Sequence, residues 1–145
     1  MGVTIRKMRA EDKNEVLDMM RVFYASPAVL TGGSEEIFQR DFEGCIRENP
    51  YLAGYVAELE GEILGYAMVA QSYSTEFGKP CVWIEDLYVK APYRGAGVGS
   101  RMLRFVEDQH PGSLFRLEVE EENARARAVY QKNGFSVLPY MEMKK

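Results

Sequence analysis

The sequence predicts an α/β domain, a sheet of six to seven strands with helices on both faces. Two periodicities and one junction predict it. Short apolar runs, alternating or continuous and bounded by Gly, Pro or Asn, read as strands. Longer stretches with apolar residues at i, i+3 and i+4 read as helices. The junction is residues 81–102. Val82, Trp83, Ile84, Leu87, Tyr88 and Val89 form a strand-like run that stops at Pro92. Gly95, Gly97 and Gly99 follow, and Val98, Met102, Phe105 and Val106 then recur at helical spacing. Strand, glycine-rich loop and helix organise the rest of the chain.

The elements follow in order. Val3 and Ile5 alternate with polar neighbours in a first strand over residues 2–8. Glu11 and Asp12 open a helix that carries Val16, Leu17, Met20, Phe23 and Tyr24 and breaks at Ser26-Pro27. After a loop over residues 25–33, Ser34 is the expected N-cap of a second helix. Its apolar residues are Ile37, Phe38, Phe42 and Ile46, and it ends by Asn49-Pro50. Residues 51–59 and 62–71 read as strands joined at Glu60-Gly61, a hairpin signal. Gln71 to Lys79 reads as a polar loop. The helix after the glycines runs to about Gln109, before His110-Pro111-Gly112. Ser113 to Glu120 is a strand, and Asn123 to Asn133 a helix closed by Gly134. Phe135, Val137 and Leu138 start a last strand, bent at Pro139 and continued from Tyr140 to Met143. The predicted order is β-α-α-β-β-β-α-β-α-β, with the final strand whole or split.

Bulk properties narrow the function classes. With 145 residues, 46% hydrophobic and 28% charged, the chain fits one globular domain over residues 1–145. A net charge of −4 without a basic face argues against a nucleic-acid partner and suits a cationic substrate. Cys45 and Cys81 form neither a disulfide framework nor a metal-ligand spacing, so no metal is expected. No leader-like start is seen, and no segment approaches the ~20 apolar residues that span a bilayer. The expectation is a cytoplasmic chain with no membrane partner.

The junction carries the chemistry. A glycine loop opening a helix presents bare N–H groups at the positive end of the helix dipole, which suits a phosphate. The P-loop pattern fails because Ser100 and Arg101 follow Gly99, and the dinucleotide fingerprint fails because position 102 is Met. What remains is Arg94-x-x-Gly97-x-Gly99, for which a plain tight turn is the competing reading. Farther along, Asn123 and Tyr130 stand seven residues apart, nearly two helical turns, and so share a face.

Arg94-x-x-Gly97-x-Gly99 after an apolar strand resembles the acetyl-CoA pyrophosphate loop of the GNAT family of N-acetyltransferases. The element order is similar over essentially the whole chain. The resemblance implies a mixed, mostly antiparallel sheet splayed at the cofactor site, with acetyl-CoA as donor. It puts the main chain of Arg94, Gly95, Ala96, Gly97, Val98, Gly99 and Ser100 at the pyrophosphate. It puts the main chain of Leu87, Tyr88 and Val89 along the pantetheine arm, like an added strand. Asn123 would contact the pantetheine, and Tyr130 would be the general acid for the departing thiolate. The stretch Glu85-Asp86-Leu87-Tyr88-Val89 is similar to the polyamine acetyltransferase branch, which implies Glu85 as base. Each residue also has a plainer reading: core packing for Leu87 and Val89, an N-cap for Asn123, a core aromatic for Tyr130, a salt-bridged strand residue for Glu85.

Neither cysteine stands where an acyl-enzyme would need it, so direct attack in a ternary complex is expected. His110 reads as a turn residue. The expected acceptor is a primary amine of a small molecule, with polyamines or diamines preferred. A protein or peptide amine competes, and a non-catalytic acyl-CoA-binding module is the alternative of another class. The acceptor pocket is expected from the loops at 25–33 and 71–79, with Tyr24, Tyr73 and Glu76 as candidates. A homodimer is common in the resembled family.

Overall fold

The structure, a computed structural model, describes residues 2–47 and 49–145. Five strands form one sheet in chain order: β1 (Thr4–Lys7), β2 (Leu52–Leu59), β3 (Glu62–Ser74), β4 (Lys79–Val89) and β5 (Leu114–Leu117). β1 to β4 are antiparallel neighbours, whereas β5 joins β4 in parallel. A parallel pair needs a crossover, and α3 (Val98–Gln109) supplies it. Helices α1 (Lys13–Tyr24) and α2 (Glu35–Ile46) cover the opposite face, and α4 (Ala124–Lys132) follows β5 on the α3 side.

Local chemistry explains several boundaries. Ser34 caps α2 by accepting the Ile37 N–H at 3.2 Å. Glu60 and Gly61 take φ of 50° and 81° between the paired Leu59 and Glu62, the two-residue turn whose twist matches an antiparallel hairpin. One apolar layer joins Val16, Met20, Phe38 and Phe42 to Val56 and Tyr66. The other joins Leu64, Ala67, Val82 and Ile84 to Met102, Leu103 and Val106. The described helices thus lie on both faces, as expected.

Three expectations are corrected. The polar stretch 71–79 is mostly strand: Ser72 pairs with Cys81 and Tyr73 with Pro80, leaving only a short turn. Its polarity reflects exposure at the end of a long hairpin rather than a lack of pairing. The second helix stops at Ile46 rather than at Asn49-Pro50, and Glu48 lies outside the described residues. The sheet has five described strands rather than six to seven, because Phe135 to Lys145 forms no strand. Alternating apolar residues signal a half-buried surface, but a ladder also needs a neighbour. Phe135 packs on the α3-side cluster, but Val137, Met141 and Met143 are 82%, 88% and 90% exposed and cover no core. Two hydrogen bonds tie the tail down instead, Phe135 N–H to the Tyr130 carbonyl at 3.0 Å and Tyr140 hydroxyl to Glu76 at 2.7 Å.

Candidate active site

The site begins with an irregularity in β4. Met68 pairs with Asp86 and Val69 with Ile84, so Glu85 has no partner on β3 and forms a bulge. A one-residue bulge reverses the alternation of side chains. Ile84 packs on the α3 side with Leu103 and Val106, Asp86 points to the α1–α2 side, and Glu85 is exposed between them. Pairing with β5 ends at the same level, at Ile84 and Leu117. Beyond it, this edge of β4 faces a gap with no strand partner among the described residues.

Which backbone groups face that gap follows from the ladder. Lys90 N–H donates to the Leu64 carbonyl at 2.8 Å. Antiparallel pairs alternate, so Tyr88 and Asp86 also bond toward β3, while Leu87 and Val89 direct N–H and C=O into the gap. Arg94 Nε already donates to the Val89 carbonyl at 2.7 Å, and its guanidinium lies 5.4 Å from the Tyr88 ring centroid. Of the three strand residues expected to offer main chain to a ligand, Leu87 and Val89 have that geometry. Tyr88 instead offers its ring as a platform for Arg94.

The glycine loop adjoins the gap. Gly95 and Gly97 adopt φ of 82° and 83°, a region that favours glycine. A Cβ on either would meet no atom within 4 Å, so glycine serves conformation here rather than space in the free protein. Gly97 is the N-cap of α3 without a capping side chain, and the first helical bond is Arg101 N–H to its carbonyl at 3.0 Å. The N–H groups from Gly95 through Ala96, Gly97, Val98 and Gly99 to Ser100 find no acceptor among the described residues. Six free donors at the positive end of a helix make an anion cradle. Only the backbone of Ser100 belongs to it, because its hydroxyl accepts Asn133 Nδ2 at 2.9 Å and ties α3 to α4.

Asn123 stands just outside α4 and caps it, accepting the Ala126 N–H at 3.2 Å. Tyr130, seven residues on, packs against the apolar cluster that includes Ile84 and Leu103, and its ring centroid lies 6.0 Å from that of Phe135. The same cluster holds Ile84, the residue before the Glu85 bulge. Its hydroxyl has no partner among the described residues, and burial pushes the phenol up, so it keeps its proton. A cavity of about 800 Å³ beside β5 is lined by Trp83, Leu117, Tyr130 and Phe135.

Acidic groups collect at the bulge. Partial burial first, and then the charges of Asp86, Glu142 and Asp41, push the Glu85 carboxyl up. Asp86 is only 3% exposed, and each of its oxygens accepts a phenol: Tyr24 at 2.9 Å and Tyr66 at 2.8 Å. Burial raises its pKa to about 6, against the pull of the two tyrosines. This trio escaped sequence reasoning; the available signal was a second acid beside Glu85 within an otherwise apolar run.

Other candidates fall elsewhere. Tyr73 is exposed, and Glu76 holds the tail through Tyr140. His110 shares a 3.1 Å hydrogen bond with buried Tyr55 and is more than a surface turn residue. Burial pushes the Cys45 thiol up to about 12, which leaves it a poor nucleophile, and Cys81 is buried. No metal-like group of His, Cys, Asp or Glu occurs among the described residues, and none of their helices is long and apolar enough to cross a membrane.

Asp86 gives a stability prediction. Its folded pKa lies above the ordinary 3.8, at about 6, so the folded state holds an extra proton in between. Stability is then fully present below pH 3.8 and is lost as pH rises through about 6, by up to about 3 kcal/mol. Asp12 works in the opposite sense and in a lower window. Burial raises it, but Arg6 and the Arg9 N–H hold it below the ordinary value, so its contribution is lost as pH falls. Melting temperatures from about pH 4 to 8 should fall more steeply in the wild type than in Asp86→Asn.

Comparison with known proteins bears on this geometry. A sequence model of the acetyltransferase (GNAT) family matches residues 15–135. A thialysine N-epsilon-acetyltransferase of Sus scrofa is 33% identical over 146 residues, covering 92% of this chain and 84% of the relative. The fold superposes on AAC(6')-Iy bound to the bisubstrate analogue CoA-S-monomethyl-acetylneamine. The TM-score is 0.81 at 18% identity, with 100% of this chain and 98% of the other covered. It also superposes on a predicted acetyltransferase of Clostridium acetobutylicum with acetyl-CoA, with TM-score 0.75, 19% identity and coverage of 98% and 96%.

Proposed function

The chain belongs to the GNAT family of acetyltransferases, and from that premise we propose that it moves the acetyl group of acetyl-CoA to a primary amine of a small cationic molecule. One observation carries the reading. The free edge of β4, at Leu87 and Val89, runs from the exposed Glu85 bulge to a cradle of unpaired N–H groups. An extended thioester with an anionic end fits such a track as an extra strand. The cradle takes the pyrophosphate, with Arg94 beside it. Asn123, at the start of α4, lies toward the pantetheine.

The reaction needs few protein groups. The neutral amine attacks the thioester carbonyl carbon, a C–N bond forms and the C–S bond breaks. Leu87 N–H, aimed into the gap, is the donor for the carbonyl oxygen. Glu85 takes the amine proton directly or through water, and its raised proton affinity suits that task. Tyr130 gives its proton to the thiolate. Cys81 is buried and burial holds half-buried Cys45 as a thiol, which favours direct attack over an acyl-enzyme.

The acceptor class follows from charge. Glu85 stands with Asp86, Asp41 and Glu142 near it, a field that attracts an ammonium. Thialysine, for which the Sus scrofa relative is named, has an amine of this class. Diamines and polyamines present the same cationic amine. The test is acetyl-CoA turnover over thialysine, lysine, diamines, polyamines, aminoglycosides and peptides. CoA release stimulated by the small cationic amines is the expected result. Peptides as the sole acceptors would move the reading to protein acetylation. Acetyl-CoA binding with no responding amine would leave a non-catalytic acyl-CoA module. Glu85→Gln should lower kcat/KM for the amine by about a hundredfold and leave the acetyl-CoA KM unchanged. Equal activity would exclude Glu85 as the base.

A further inference from the structure

The buried trio of Asp86, Tyr24 and Tyr66 has no task in the reaction as derived. Its position gives it one. Tyr24 is the last residue of α1, where the chain leaves for the loop at 25–33. Its ring lies 5.2 Å from that of Phe38 on α2. The far end of the loop returns to the same rings: a Cβ on Gly33 would stand 2.5 Å from Phe38 and 3.4 Å from Tyr24. Both ends of the loop therefore rest on Tyr24. The hydroxyl of Tyr24 is bound to Asp86, the residue next to the Glu85 bulge, and Tyr66 holds the other oxygen from β3.

A carboxylate buried with two phenols is a poor way to gain stability, since apolar replacements of buried ionic groups are often neutral or stabilising. We infer that Asp86 is a positioning residue for the acceptor amine: through Tyr24 it locks the loop at 25–33 against the Glu85 bulge, so that loop and base hold the same ligand. The inference rests on the proposed reading of Glu85. It also explains the bulge, because without the reversed alternation Asp86 would point to the α3 face and could not meet Tyr24.

Asp86 also has an electrostatic role. The groups facing it and Glu85 are Tyr24 from α1, Asp41 and Cys45 from α2, Tyr66 from β3 and Glu142 from the tail. Among them Asp86 is the charge next in chain to Glu85, and its negative charge raises the proton affinity of Glu85. Removing that charge moves the acid limb of the amine pH profile to lower pH.

The test uses Tyr24→Phe and Asp86→Asn, which keep shape. Each should raise the KM for the responding amine about tenfold or more, the loss expected for a hydrogen bond to a charged group, with acetyl-CoA KM within about twofold. Only Asp86→Asn should also shift the acid limb downward. An unchanged amine KM in both variants, or an equal rise for acetyl-CoA, would overturn the inference. Amide hydrogen exchange of residues 25–33 in the free protein gives an arm that needs no turnover. Faster exchange in Tyr24→Phe supports the lock even if no amine is acetylated, an outcome that would remove only the proposed reaction. Unchanged exchange overturns the lock.

Discussion

Tyr130→Phe should lower kcat by about a hundredfold or more, with the acetyl-CoA KM within about threefold. The variant loses only the hydroxyl. The ring keeps its packing against the Ile84 and Leu103 cluster and against Phe135. The hydroxyl has no partner among the described residues, so its removal breaks no hydrogen bond of the free protein. Stability should hardly change, and a drop in kcat can be read as chemistry. The sign with pH is defined as well. A general acid must carry its proton, so wild-type activity falls as pH rises through the phenol pKa, which burial pushes above the ordinary 10. That basic limb should vanish in the variant. An unchanged kcat, measured in single turnover so that product release cannot mask the step, would remove the acid role from Tyr130.

Gly97→Val should weaken acetyl-CoA binding about tenfold or more. The reason is conformational. Gly97 has φ of 83° and open space around it, so no neighbour clashes with the new side chain. A β-branched residue pays about 1 to 3 kcal/mol to stay in that region. If the loop relaxes to avoid the strain, the N–H groups of residues 95–100 no longer converge. Saturating acetyl-CoA should restore much of kcat, because Glu85, Leu87 and Tyr130 lie off the loop. Calorimetric titration with CoA separates lost affinity from lost fold, with circular dichroism as the control. Undiminished affinity in a folded variant would unseat the loop from its proposed task.

Much of the donor side was legible in the sequence, and the reasons are local. Gly95 and Gly97 are needed for positive φ, Ser34 and Asn123 cap the helices that follow them, and Glu60-Gly61 makes its hairpin turn without outside help. The acceptor side was not legible. Tyr24 was a candidate for the pocket, but nothing in its neighbourhood signals a bond to Asp86. Tyr88 was expected to offer main chain, yet the register with Tyr66 turns its backbone toward β3. The tail from Phe135 has the composition of a strand and finds no pairing partner.

By itself the sequence determined the order of the helices and most strands, the positive-φ glycines of the loop and the helix that Asn123 caps and Tyr130 lies in. Periodicity, caps and positive-φ glycines act over a few residues, so they are written in consecutive letters. Only the tertiary structure decided the Glu85 bulge, the end of β5 at Leu117 and the strand count. It alone paired Asp86 with Tyr66 and Tyr24, 20 and 62 residues away in the chain. Those features depend on the register between distant strands. A one-residue slip in a ladder reverses every side chain beyond it, and only the packing of both sheet faces selects the register.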